Sequence, residues 1–146
     1  MIIRQYDLEN SLVLFLEREL KIRTDLVYDG YEFPEDRPFI TIEPMQNNIE
    51  ILTKRREAVQ RIYRYQIGLH ADNPVSLRHL QEDISDLLTF RKIPYYNTQE
   101  SVDDPIGYYL CDLTAVVPMP ADELSRKSEY HRVYFDIEIE NIKRGC

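Results

Sequence analysis

The chain has 146 residues, enough for a single domain (1–146) with a sizeable core. Hydrophobic residues make up 43% and charged residues 30%, which excludes a disordered chain and favours a soluble globular protein. The net charge of −8 predicts that the molecule as a whole repels nucleic acid and anionic membranes. The longest wholly apolar run, Leu12–Leu16, is too short to cross a bilayer, and acidic residues precede any signal-peptide core. We therefore expect the protein in the cytoplasm of the cell that makes it.

The first half of the chain predicts one helix and two strands. Apolar residues recur at helical spacing and predict a helix over 7–22 that Asp7 caps. After a turn-rich segment, "FITIEPM" (39–45) predicts a short strand that its proline ends or confines to an edge. "VQRIYRYQIGLH" (59–70) alternates and predicts a long strand. The link "QNNIEILTKRR" is either a hairpin arm or a mobile loop.

The second half predicts a second helix and two more strands. Asn73 suits the N-cap position of this helix and Pro74 its first turn. Its expected buried stripe consists of Val75, Leu77, Leu80, Ile84, Leu87 and Leu88. A long segment with few regular-structure signals then leads to predicted strands over 108–118 and 132–143.

The predicted order is helix, strand, strand, helix, strand, strand. This order indicates a two-layer α+β domain, with a four-stranded, mainly antiparallel sheet and both helices packed on one face. Cys111, in the apolar stretch "YYLCDLTAVV", is predicted to be a small buried core residue. Cys146 is the second of the two cysteines in the sequence, and two cysteines provide neither a disulfide framework nor a zinc site.

The last predicted strand raises the first question of function. Its apolar residues, from Val133 to Ile139, fall on one face, and Asp136, Glu138 and Glu140 fall on the other. Clustered carboxylates can hold Mg²⁺, but Lys143 would lie on the opposite face from them, so nuclease geometry is not met. A solvent-facing or interface-facing polar stripe explains the alternation more simply, and no metal or other cofactor is predicted.

A basic stretch, 54–64, interrupts the acidic background. Its local charge is +4, which leaves −12 for the rest, and its charged residues are Lys54, Arg55, Arg56, Glu57, Arg61 and Arg64. Tyr63 and Tyr65 lie on the face opposite Arg64 and are predicted to be core, so no aromatic platform accompanies the charge. Cross-strand pairing with the acidic strand, or pairing with an acidic surface of another copy, is favoured over nucleic-acid binding.

No catalytic constellation emerges from the remaining residues. His70, His79 and His131 lack metal-ligand spacing, and each is expected at the surface. The serines lack a nucleophile-elbow context, and four glycines exclude a glycine-rich phosphate loop. We therefore predict that the protein is not an enzyme.

The long connections form a candidate contact surface. Segments 44–56, 91–107 and 118–131 carry apolar residues that a free loop would expose, beside the basic cluster. The alternative is that these segments fold back onto the domain's own core. The candidate interface residues are Met45, Ile49, Ile51, Leu52, Lys54, Arg55, Arg56, Tyr95, Tyr96, Met119 and Leu124.

Most of the chain resembles the tail-completion proteins of long-tailed bacteriophages, the tail-terminator or head–tail joining family. The stretches that carry the resemblance are "DLENSLVLFLEREL", "RPFITIEPM", "RREAVQRIYRYQIGLH", "NPVSLRHLQEDISDLL" and "HRVYFDIEIENIK". The resemblance implies a two-layer α+β fold and a homo-oligomeric, hexameric ring. Such a ring caps the tail tube, stops its growth and docks the head connector.

For this chain, the resemblance implies a structural virion protein that is assembled in the host cytoplasm. Its partners would be further copies of itself, the tail-tube protein and the head connector proteins, with no specific nucleic-acid or membrane binding. We hypothesise that Asp136, Glu138 and Glu140 face the ring channel, where like charge keeps passing DNA from sticking. Two other classes stay open: a small host adaptor or regulatory domain that binds a protein partner, and a metal-dependent nuclease.

Overall fold

The computed structural model describes residues 4–46, 48–51, 58–118 and 131–144. These residues form an α+β fold, which confirms the predicted class. Its helices are α1 (Gln5–Leu20) and α2 (Pro74–Phe90). Its strands are β1 (Arg23–Leu26), β2 (Phe39–Pro44), β3 (Asn48–Ile51), β4 (Ala58–His70), β5 (Ile93–Tyr95), β6 (Gly107–Tyr109), β7 (Asp112–Pro118) and β8 (Arg132–Arg144).

The main sheet is mixed and larger than the predicted four strands. Its order is β1-β2-β4-β8-β7, and β3 pairs with β4 on the stretch that β2 leaves free. β1 runs parallel to β2 and every other pair is antiparallel, while β5 and β6 form a small sheet of their own. The four predicted strands correspond to β2, β4, β7 and β8. The four-stranded prediction was incomplete because β1, β3 and β5 have three or four residues, too few to show an alternating pattern.

Alternation along β4 and β8 builds the core. The face turned toward the helices carries apolar and aromatic side chains that are each no more than 2% exposed: Tyr63, Tyr65, Ile67, Leu69, Val133, Phe135, Ile137 and Ile139. These residues form one hydrophobic cluster with side chains from both helices, including Leu12 and Leu88. The predicted apolar half of the last strand is therefore confirmed as the core face of the sheet.

Helix α1 begins earlier than predicted and without the predicted cap. Its N-cap is Arg4, whose side chain makes no capping hydrogen bond. Asp7 lies inside the first turn, where its carboxylate accepts hydrogen bonds from the backbone N–H of Thr98 (3.2 Å) and from its hydroxyl (2.8 Å). Asp7 therefore fastens the segment after β5 to α1, which no local capping pattern could reveal.

Helix α2 begins as its sequence predicts. The Asn73 side chain accepts a hydrogen bond from the Ser76 N–H at 2.9 Å, and Pro74 occupies the first turn. Ile84 and Leu88 are buried, but Val75 is 67% exposed, so its place in the buried stripe was wrong. Val75 precedes Ile84 by about two and a half helical turns, which puts the two on opposite sides of the helix.

The predicted strand over 108–118 divides into two. Its first residues form β6 in the small sheet and its later ones form β7, because the chain leaves the strand at Leu110, which is 59% exposed. Cys111 is buried as predicted, and its thiol donates to the carbonyl of Leu88 at 3.4 Å. Burial raises the pKa of this thiol to about 12. Across the described ranges, no helix is long and apolar enough to cross a membrane.

Candidate functional site

The acidic residues of β8 lie on the outer face of the sheet, the face turned away from the helices. Antiparallel pairing sets Asp136 opposite Gln66, Glu138 opposite Arg64 and Glu140 opposite Ile62. Asp136 and Glu138 are partly buried, and Glu140 is exposed. The stripe therefore runs from the middle of the sheet toward the end of the β4–β8 ladder.

Two of the three carboxylates have partners on β4. Arg64 Nη2 lies 3.1 Å from Glu138 Oε1, and Gln66 Nε2 donates to Asp136 Oδ1 at 3.4 Å. The predicted cross-strand pairing between the basic and acidic strands is thus confirmed at Arg64. In the part of the chain that the structure describes, no three His, Cys, Asp or Glu side chains lie close enough together to hold a metal ion. The outer face holds a network of paired polar groups.

A shallow polar depression of about 340 Å³ lies over these pairs. Besides the four paired residues, Met45, Gln46 and Thr114 contribute to its walls. The Thr114 hydroxyl donates to the backbone carbonyl of Asp136 at 3.1 Å, beside an irregularity where β7 shifts its register against β8. Two of its polar pairs, Arg64 with Glu138 and Gln66 with Asp136, join β4 to β8, while Arg64 Nε is buried without a hydrogen-bond partner among the described residues.

The candidate contact residues differ in exposure, and several of them lie outside the described residues. Met45 is 45% exposed and Ile49 is 62% exposed, as a contact surface requires. Ile51 is the last residue of β3, opposite Val59. Leu52, Lys54, Arg55, Arg56, Met119 and Leu124 lie outside the described residues.

Tyr95 and Tyr96 were wrongly placed on the contact surface. They are 1% and 6% exposed because β5 packs against α1, so this segment folds back on the domain's own core. The Tyr95 hydroxyl accepts a hydrogen bond from the Arg4 N–H at 2.9 Å, and the Tyr96 N–H donates to the Ser11 hydroxyl at 2.9 Å. Burial also raises the pKa of Tyr95. Both rings are structural.

His70 was also misplaced, since it is only 1% exposed and not at the surface. Its imidazole stacks on Phe39 with 4.4 Å between ring centroids and a 9° interplanar angle, and Phe33 packs 5.0 Å away. Burial, followed by the charges of Arg37 and Arg132, lowers the pKa of His70 to about 3. The segment between β1 and β2 covers this end of the outer face. In the sequence, the one sign of this packing was the aromatic residue at the start of β2, Phe39. Only the strand register shows that Phe39 lies opposite His70.

A β-arm extends the sheet past β7, and we define it as β3 together with residues 58–63 of β4 and 139–144 of β8. β7 pairs with β8 only as far as Glu138, so the stretch from Ile139 to Arg144 has β4 on one side and no described strand on the other. β3 likewise pairs only with β4 among the described strands. Within the described residues, the arm therefore has two open edges of different sequence. The predicted hairpin-arm alternative for "QNNIEILTKRR" is confirmed at β3.

The chain matches no protein-family model, and no curated protein matches it significantly. The functional conclusion therefore depends on the fold, the outer face and the β-arm.

Proposed function

We propose that the protein is a structural assembly protein of a long-tailed phage or prophage, with no enzymatic activity. Copies of the chain form a ring, hexameric as in the family it resembles, that closes the tail tube and joins it to the head connector. The protein then resides in the virion after assembly in the host cytoplasm. The β-arm is the observation that carries this proposal.

The β-arm suits head-to-tail association. An open strand edge presents unpaired N–H and C=O groups that readily pair with another chain. Among the described strands, the arm offers two such edges, one on β3 and one on Ile139–Arg144 of β8. When two different surfaces of one copy meet on successive copies, the assembly can close into a ring. Ile49, 62% exposed on β3, adds an apolar group to the arm.

The decisive experiment measures mass in solution for the full chain alone and with purified tail tubes, followed by electron microscopy. We expect rings, either free or on one end of each tube. A chain that stays monomeric and leaves tube ends bare would refute the proposal. Calorimetric titration with Mg²⁺ and Mn²⁺ tests the nuclease alternative, and we expect no binding because Glu138 is paired with Arg64 and no three ligand side chains of the described residues lie close enough together to hold the ion.

In such a ring, the outer face lines the channel and its carboxylates keep DNA moving. Arg64 balances the charge of Glu138, whereas Asp136 pairs only with the neutral amide of Gln66, so Asp136 and Glu140 carry the net negative charge of the stripe and Glu140 is its exposed member. Glu140→Lys is expected to slow DNA passage and lower infectivity, whereas Glu140→Gln has a smaller effect. Full infectivity of Glu140→Lys, in particles with intact tails, would place the stripe away from the channel.

A further inference from the structure

A groove of about 460 Å³ lies between the C-terminal ends of α1 and α2. One stripe of α2 lines it, because the residues concerned are spaced three and four apart along the helix. Phe90 is 77% exposed there, with Leu87 and Leu20 of α1 beside it. The full lining is Glu19, Leu20, Asp83, Asp86, Leu87, Phe90 and Arg91. An exposed phenyl ring on an apolar floor marks a contact site.

The rim of this groove is acidic. Glu19 pairs with Arg91 at 3.2 Å, but Asp83 and Asp86 have no ion-pair partner among the described residues. Both helices also end here, and the C-terminal end of a helix carries partial negative charge. The groove therefore favours an occupant that combines cationic side chains with an apolar one.

The chain itself contains such a segment. Residues 52–57, "LTKRRE", join β3 to β4 and carry three basic side chains and one acidic one beside Leu52. The other long stretch outside the described residues, 119–130, carries two basic side chains and three acidic ones. Charge complementarity therefore selects 52–57 as the occupant.

The backbone of this segment is too short to reach the groove of the same copy. Register sets Arg23 beside Phe39 and Phe39 beside His70, so Leu20 lies within about 20 Å of His70. β4 has 13 residues, which puts Ala58 about 40 Å from His70. Six residues held at both ends extend no more than about 12 Å beyond them. About 8 Å or more then separates the backbone of the fully extended segment from Leu20, so we assign the occupant to a second copy.

We propose that the groove between α1 and α2 of one copy binds residues 52–57 of a neighbouring copy. Lys54, Arg55 and Arg56 pair with Asp83 and Asp86, and Leu52 supplies the apolar group for Phe90. This inference rests on the proposed ring and names a contact between its subunits. The contact is heterologous, as ring closure requires.

A charge-swap series on the full chain tests the contact. Asp83→Lys/Asp86→Lys reverses the groove, and Lys54→Glu/Arg56→Glu reverses the segment. Each reversal is expected to weaken self-association about tenfold or more, measured by sedimentation velocity, or by ring formation on tubes if free copies do not associate. Combining both reversals restores association, which a merely misfolded variant would not do.

Asp103→Lys/Asp104→Lys is the matched control, because it reverses two exposed acidic residues outside the groove. Association that responds equally to the control and to the groove variant, or that the combined variant does not recover, would overturn the contact and leave the ring standing. Copies that associate through the groove but never bind tubes would support the contact and refute the tail role. A chain that associates neither free nor on tubes would overturn both.

Discussion

His70 is a buried base on the outer face of the sheet, enclosed by Phe39, Phe33 and Tyr134, with Arg37 and Arg132 as the nearby charges. Its pKa falls from about 6.5 when exposed to about 3 in the folded protein. Between these two pH values the unfolded chain binds a proton that the folded chain does not. The free energy of unfolding therefore falls as pH is lowered through that window.

We predict that His70→Phe, which retains an aromatic ring but does not titrate, weakens this pH dependence. Between about pH 6.5 and 4.5, the wild type should lose about 2 kcal/mol more than the variant in urea unfolding. The raised pKa of Glu9 acts in the opposite direction but is common to both proteins. His79→Gln, at an exposed position, serves as the control and should follow the wild type. Parallel pH profiles for wild type and His70→Phe would contradict the prediction.

Gly68 permits the close packing beside His70. A β-carbon on it would lie 2.5 Å from Thr41 Oγ1 and 3.1 Å from Tyr134 Cε1. Gly68→Ala is therefore expected to lower the free energy of unfolding by about 1–3 kcal/mol, because neighbouring groups must shift. Chemical denaturation measures this loss.

A double variant separates crowding from any other effect of that alanine. Thr41→Ala removes the nearest atom, so adding it to Gly68→Ala should return part of the loss. If the two changes are simply additive, Thr41 is not the group that excludes the methyl.

Among the secondary-structure elements, α2 allows the clearest test of a signal in the local sequence, the N-cap at Asn73. Asn73→Ala removes the side-chain oxygen that accepts from Ser76 N–H, and should cost about 1 kcal/mol of stability. Thermal and denaturant unfolding both measure it. Asp72→Ala changes an exposed neighbour outside the cap and should leave stability nearly unchanged. Equal losses of stability from Asn73→Ala and Asp72→Ala would show that the Asn73 cap does not stabilise α2.

The elements that could be predicted are those with long internal patterns. β4 and β8, with 13 residues each, alternate over most of their length, and α2 carries its own start signal at Asn73. β1 escaped prediction and β3 was predicted only as one of two alternatives, because a four-residue strand acquires its identity from the strand it pairs with. Periodicity reports which residues share a face, but not which distant strand lies alongside.

The same distinction, between local pattern and tertiary packing, separates the site residues that could be predicted from those that could not. Pairing between the basic and the acidic strand could be offered as one alternative because both strands alternate, but the register that sets Arg64 opposite Glu138 required the structure. Tyr95, Tyr96 and His70 were misjudged because their burial depends on tertiary packing: β5 against α1, and the segment before β2 over the sheet. The groove between the helices also required the structure, since Phe90 and Leu20 are far apart in sequence.

For the whole molecule, the β-arm predicts how assembly responds to one residue. Ile49→Lys places a charge on an exposed position of β3, a change that discourages strand pairing between chains. We expect it to abolish ring formation on tail tubes while leaving the free energy of unfolding within about 0.5 kcal/mol of wild type. Electron microscopy and denaturation provide the two measurements.

Val75→Lys is the matched control, because Val75 is similarly exposed at 67% but lies on α2, away from the arm. It should assemble normally. Rings that form equally well with Ile49→Lys would show that the arm does not mediate contact between copies.

The long pairing between β4 and β8 also determines when the main sheet can form during synthesis of the chain. Its paired residues are separated by roughly 60–90 positions, so the centre of the sheet closes only after β8 emerges. At about 5–20 residues per second, newly made β4 waits several seconds with its apolar face and one edge unprotected. Nascent chains crowded on one messenger are then at their most prone to pair with each other. We therefore expect the yield of folded protein to depend on the rate of synthesis and the supply of chaperones, and not on the stability of the finished fold alone.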